Sequence, residues 1–223
     1  MCGRYTCLFT WKQLQRLMRL TGLPEDELLP RFNVAPTQFA PAVRQSAGGA
    51  RTGALLRWGL VPSWADDPSI GSRLINARGE TVAEKPSFRS AFRARRCLIP
   101  VSGFYEWKAV EDQKAKRPFW IGRADREPFA LAGLWERWTK GAEPVESFTI
   151  ITTTPNALMA KLHDRMPVIV DPGDYDRWLD PGADPSSLSA LIRPNEPEEF
   201  EAYPIGTRVN SPKNDDPSLL DPA

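Results

Sequence analysis

The sequence predicts an α+β fold built around a curved mixed β-sheet, and three features carry that prediction. Short β-prone runs, of which residues 148–154 are the strongest, recur along most of the chain. The helical patterns between them are brief. No strand–helix–strand regularity and no internal repeat appears, which removes the doubly wound and solenoid classes.

Taken in order, Thr10 is an N-cap for a helix over 10–20, with Trp11, Leu14, Leu17 and Met18 at helical spacing and Gly22 and Pro24 beyond its end. Residues 31–43 form a strand or loop punctuated by Pro36 and Pro41. Residues 46–53 are a hairpin loop, and 54–61 a short apolar strand stopped by Pro62. Residues 85–95 are a short basic helix or loop. Residues 97–101 read as a buried strand, and 103–107 alternate apolar and polar as a half-buried strand does. Further strands fall at 119–123 and 129–136. Pro155 stands in the N1 place of a helix reaching Leu162, 167–170 is extended, and 175–179 begins another helix. After Pro181 the chain turns rich in Pro, Asp and Glu, and residues 213–223 read as a disordered tail.

With 223 residues the chain buries one core rather than two, and 41% hydrophobic with 26% charged residues is soluble-globular composition. No apolar run approaches a membrane span, and no signal-peptide core stands at the start. Cys2, Cys7 and Cys97 cannot all pair and match no zinc pattern, so a reducing cytoplasmic setting is expected. The net charge of +1 is unevenly spread. Seven basic residues (Arg73, Arg78, Lys85, Arg89, Arg93, Arg95, Arg96) face Glu80 and Glu84 between 73 and 96, whereas from 171 onward twelve acidic residues outweigh four basic ones. Such a basic middle suits a polyanion, although a solvated helix face explains it as often.

Cys2 carries the most distinctive chemistry. Once Met1 is removed, the residue presents an α-amine and a thiol together. The amine condenses with an aldehyde to an imine, and the sulfur closes a five-membered ring on the same carbon with the advantage of an intramolecular step. An α-amine of pKa about 7.7–8.0 and a thiol of about 8.5 both sit close to arming at neutral pH. His163 is the only histidine, and imidazole shuttles protons near neutrality. Glu106 lies within Phe104-Tyr105-Glu106-Trp107, where desolvation beside Phe104 would raise its pKa and make it a general acid or base. Asn76 and Arg78 share one face if extended, and Asn33 offers another amide before a turn. Trp58 and Trp64 supply flat rings for stacking bases, though core packing is the commoner fate of tryptophan. No Walker loop, dinucleotide fingerprint, zinc-protease motif or nucleophile elbow is present.

Six segments in order, Met1-Cys2-Gly3-Arg4, Asn33-Val34-Ala35-Pro36, Trp58-Gly59-Leu60-Val61-Pro62, Ile75-Asn76-Ala77-Arg78-Gly79-Glu80-Thr81, Gly103-Phe104-Tyr105-Glu106-Trp107 and Leu162-His163-Asp164-Arg165-Met166-Pro167, resemble the SOS response-associated peptidase (SRAP) family. The likeness spans residues 2–212. It implies a single domain over 1–212, with sheets forming an open barrel and a basic groove for single-stranded DNA. It also implies covalent capture of abasic sites through a thiazolidine at Cys2, in the response to DNA damage. On that likeness Cys2 supplies amine and thiol, Asn76 binds the opened sugar, Glu106 moves protons and His163 assists at a sugar hydroxyl. Arg4, Arg78 and Arg165 would hold phosphates, and Asn33, Pro36 and Trp107 would line the DNA path. No metal or cofactor is implied; the partner is single-stranded DNA carrying abasic sites, and the protein would act as a nucleoid-associated monomer. The chemistry of lyases and hydrolases lies close to such a site. Two rivals remain, a thiol autopeptidase using Cys2 and a non-covalent single-stranded nucleic-acid module.

Overall fold

The computed structural model describes residues 2–46, 48–110, 115–195 and 200–223. Along it run β1 (Tyr5–Cys7), α1 (Trp11–Met18), β2 (Arg31–Val34), β3 (Phe39–Gln45), β4 (Arg51–Trp58), β5 (Asn76–Arg78), α2 (Arg89–Ala94), β6 (Arg96–Val101), β7 (Gly103–Lys108), β8 (Arg117–Arg123), β9 (Phe129–Trp138), β10 (Val145–Thr153), β11 (Met166–Pro167), β12 (Ile169–Val170), α3 (Tyr175–Leu179), α4 (Pro185–Ser189) and β13 (Phe200–Pro204). The α+β class predicted from the sequence is the class observed. Met1, whose removal the sequence reading requires, lies outside the described residues, as does Ala47 in the predicted hairpin loop.

Local signals explain the elements that were legible. The Thr10 side chain accepts the Gln13 N–H at 3.3 Å while Gln13 Oε1 accepts the Thr10 N–H at 2.8 Å, a reciprocal cap that starts α1. Arg19, left-handed at φ 54°, ends it. Trp11, Leu14 and Met18 face the core, but Leu17 stays 46% exposed, so the buried stripe is narrower than the spacing implied. Pro41 does not break its strand. It pairs with Leu55 where β3 has no contact with β6, so its missing N–H needs no ladder partner. Pro155 opens no helix; residues 159–161 make a single 3₁₀ turn whose Met159 N–H is received by Asn156 Oδ1 at 2.8 Å.

Five strands pair in a ring, β3–β4–β10–β9–β6 and back to β3, so the barrel expected from the resemblance is closed. A second sheet runs β13–β8–β7–β1–β2. Trp58 stacks on Phe148 with ring centres 6.1 Å apart, and Tyr5 of the second sheet packs 5.0 Å from Trp58, which joins the two sheets in one core. The far half of β10 exchanges both neighbours. On one side β5 takes over from β4, with Ile150 opposite Asn76 and Thr152 opposite Arg78. On the other, β11 takes over from β9, with Thr152 opposite Pro167. This exchange delivers the Asn76 and His163 segments to the same end of one strand.

The acidic tail is a strap. Residues 213–223, expected to be disordered, pack onto the second sheet, where Leu219 is buried against the cluster of Tyr105, Trp120, Ile205 and Val209. Asp215 accepts the backbone N–H groups of Phe32 and Asn33 and pairs with Arg31. These partners lie far away in sequence, which is why composition alone misjudged the segment. Asp215→Ala strands two inward N–H donors, and a loss of about 1–3 kcal/mol is expected. Calorimetry should record a Tm lowered by roughly 3–10 °C; an unchanged Tm would show the strap to be dispensable.

Candidate active site and nucleic-acid interface

Cys2 is fully buried just ahead of β1. Its carbonyl accepts a hydrogen bond from Asn76 Nδ2 at 2.8 Å, which ties the start of the chain to β5. The Oδ1 of the same amide is buried and accepts no hydrogen bond among the described residues. Burial pushes the Cys2 thiol well above its ordinary range, and the Glu106 carboxylate adds to the effect while the Arg4 backbone N–H opposes it. At neutral pH the sulfur is therefore a thiol, not a thiolate.

Glu106 stands on β7 beside β1, where Tyr105 N–H donates to Arg4 O at 2.9 Å. Only 2% of it is exposed. Burial raises its pKa, and the neighbouring His163 opposes the rise. The carboxyl sits within electrostatic reach of both the Cys2 thiol and the imidazole, and its desolvation is what the aromatic run around it led one to expect. His163 follows the 3₁₀ turn at 159–161. Its Nδ1 accepts the Arg165 N–H at 3.0 Å and lies 2.8 Å from Asp164 Oδ1.

The expected DNA contacts divide into two groups. Arg78 is exposed on β5, one residue beyond buried Ala77 and on the face that carries Asn76. Pro36 is half-buried at a turn, and Trp107 is half-buried with its indole N–H donating to Asn210 Oδ1 at 2.7 Å. The others are engaged internally. Arg4 Nη1 donates to Asn33 Oδ1 and to Val209 O, both at 2.8 Å. Asn33 is fully buried, and its Nδ2 faces the carbonyls of Val209, Ser211 and Asn214, so it ties β2 to the segment that leads into the strap. Arg165 forks onto both oxygens of Glu80 and also donates to Thr152 O at 2.7 Å.

Other expectations also resolve. Trp58 belongs to the core, its indole N–H donating to Ile75 O at 2.9 Å, whereas Trp64 is 51% exposed. The basic middle is less basic at its surface than in sequence. Arg96 is buried, spending its guanidinium on four carbonyls including those of Phe92 and Trp178, and Arg95 pairs with Glu136. Arg73, Arg78, Lys85, Arg89 and Arg93 remain exposed. Cys7 and Cys97 are buried free thiols whose pKa burial raises, which makes them packing residues. Glu80, Thr152 and Asn210 were not anticipated. Glu80 lies inside a quoted motif, but nothing local shows that its partner is eighty-five residues away.

The family model described as SOS response associated peptidase (SRAP) matches residues 1–212. The chain belongs to the SRAP family. Among SRAP relatives, the abasic site processing protein YoqW of Bacillus subtilis is 44% identical over 99% of both chains. The abasic site processing protein YoaM of the same organism is 42% identical over 99% of this chain and 98% of its own. A crystal structure of a Bacteroides thetaiotaomicron protein superposes with a TM-score of 0.78 at 30% identity, covering 86% of this chain and 85% of the other. No helix among the described residues is long and apolar enough to cross a membrane.

Proposed function

We propose that this SRAP protein processes abasic sites by capturing the ring-opened sugar in single-stranded DNA as a thiazolidine on Cys2. The observation that carries the reading is the placement of Cys2 with Asn76 on its carbonyl and the Glu106 carboxyl within electrostatic reach of its thiol. That SRAP relatives are named abasic site processing proteins supports the substrate class.

The α-amine exposed by loss of Met1 attacks the sugar aldehyde, and the carbinolamine loses water to give an imine. The sulfur then adds to the imine carbon, its proton passing to the nitrogen, and the five-membered ring closes. No oxidant or metal enters this balance. The amine acts first, so a protonated thiol is no obstacle. Glu106 takes the thiol proton as the S–C bond forms, and its raised pKa suits it both to give a proton to departing water and to recover one. Asn76 Oδ1 accepts from a hydroxyl of the opened sugar, while the His163 imidazole assists at a sugar hydroxyl. Exposed Arg78 takes a flanking phosphate.

Burial that raises the Cys2 thiol above its ordinary range disfavours the resting thiolate a free-standing thiol peptidase uses. The test uses two oligonucleotides, one with a natural abasic site and one with a tetrahydrofuran analogue that has no aldehyde. After boiling in SDS, a shifted band is expected with the first only. A band with both, or with neither, would refute capture at the aldehyde.

A further inference from the structure

We infer that Glu80 is an internal competitor for DNA, occupying on Arg165 the place a backbone phosphate would take, and so setting how weakly the protein holds intact strands. The inference rests on the functional reading above and extends it to the selection between damaged and undamaged DNA.

Arg165 is 12% exposed in its side chain and anchored to the barrel, with Nη2 donating to Thr152 O at 2.7 Å and lying 3.3 Å from Thr152 Oγ1. The remaining fork is closed by Glu80, Nη1 to Oε1 and Nη2 to Oε2 at 2.9 Å. Glu80 differs from its partner in being 49% exposed, on the short 3₁₀ turn Gly79–Thr81 that follows Arg78. A carboxylate and a phosphate present the same pair of oxygens to a guanidinium. The half-exposed carboxylate can swing into water, while the guanidinium stays in place on Thr152. A phosphate arriving beside Arg78 therefore exchanges with Glu80 instead of meeting an open cation.

Exchange has a signature that addition lacks. A phosphate that replaces a carboxylate leaves the charge on Arg165 compensated throughout, so intact DNA gains little affinity from this arginine. A strand held covalently at Cys2 keeps its phosphate beside Arg165 at high effective concentration and wins the exchange. Glu80 thereby weakens the search for lesions without weakening their retention.

The experiment measures fluorescence anisotropy of a labelled, lesion-free oligothymidylate across a salt series, with Glu80→Gln, Arg165→Gln, the double variant and Glu84→Gln. Glu84 is exposed on the neighbouring turn and controls for the loss of one negative charge. Glu80→Gln is expected to tighten binding about fivefold and to steepen the slope of log K against log salt by about 0.7, one single-strand phosphate. The effect should vanish in the Arg165→Gln background and be smaller in Glu84→Gln. An equal gain with or without Arg165 would assign it to long-range charge and overturn the inference, as would unchanged or weaker binding by a Glu80→Gln protein that melts normally. Absence of binding by every variant, wild type included, would remove the functional reading and this inference together.

Discussion

Cys2→Ala, with Met1 removed, is expected to give no complex that survives boiling in SDS, a loss of roughly 10³-fold or more in trapped product. The variant still carries an α-amine, so it still forms the imine. Without sulfur that imine hydrolyses. Borohydride, which reduces an imine to a stable secondary amine, should therefore restore a covalent band to Cys2→Ala. Blocking the amine itself, by acetylating the α-amine of the processed chain, should abolish the band with and without borohydride. The two treatments separate the amine from the sulfur, which no single substitution does. A boiling-resistant band in Cys2→Ala without reductant would show that another nucleophile makes the bond. Cys7 and Cys97 are poor substitutes, because neither carries an α-amine on the same residue with which its sulfur could close the five-membered ring. The same experiment bears on the buried position of Cys2. Capture requires the sugar carbon to reach Cys2, which has no exposed surface while Met1 precedes it. The Asn76 bond to the Cys2 carbonyl acts on the backbone and leaves amine and sulfur to the substrate.

What the sequence revealed depended on how far each signal had to travel. The α1 cap closes within four residues, and Glu106 betrayed itself through its immediate aromatic neighbours. Asn76 and Arg78 share a face because β5 is extended, a relation fixed by spacing alone. Strand β1 escaped notice because its three residues carry no alternation, all being buried between β2 and β7. Strand β13 hid in acidic composition; it exists because it pairs with β8 and lays Tyr203 5.4 Å from the Trp120 ring. Asn33 is the sharpest case. Its motif is local, but its function in the fold is decided by carbonyls about 180 positions later. Arg96 was counted toward a polyanion surface for the same reason, since its carbonyl partners at Trp178 and Asp180 belong to another element. Residue type disclosed the chemistry available, and only long-range packing decided which groups remain free to use it.

Glu106→Gln is expected to slow capture by about 10²–10⁴-fold, the usual contribution of a positioned general acid–base, while lesion-free DNA binds within about twofold of wild type. Glutamine keeps the shape and cannot move a proton. The same substitution has an opposite effect on stability. Burial raises the Glu106 pKa above its unfolded value, so between those two values the folded state binds more protons than the unfolded one, and stability is lost as pH rises through that window. The amide escapes this loss. Glu106→Gln should melt higher than wild type at pH 7, by about 2–4 °C for each kcal/mol recovered, and the difference should close about a unit or more below the unfolded glutamate pKa of about 4.3, where the wild-type carboxyl is protonated in both states. Single-turnover capture across pH should lose the limb that follows Glu106. A variant that captured at the wild-type rate would deny the carboxyl any part in proton transfer, and one that melted lower at pH 7 would mean that the partners of the ionised group outweigh the cost of burying it. Slower chemistry with a higher Tm in one protein is the combination a destabilised catalytic carboxylate produces, and simple disruption of the fold gives the reverse.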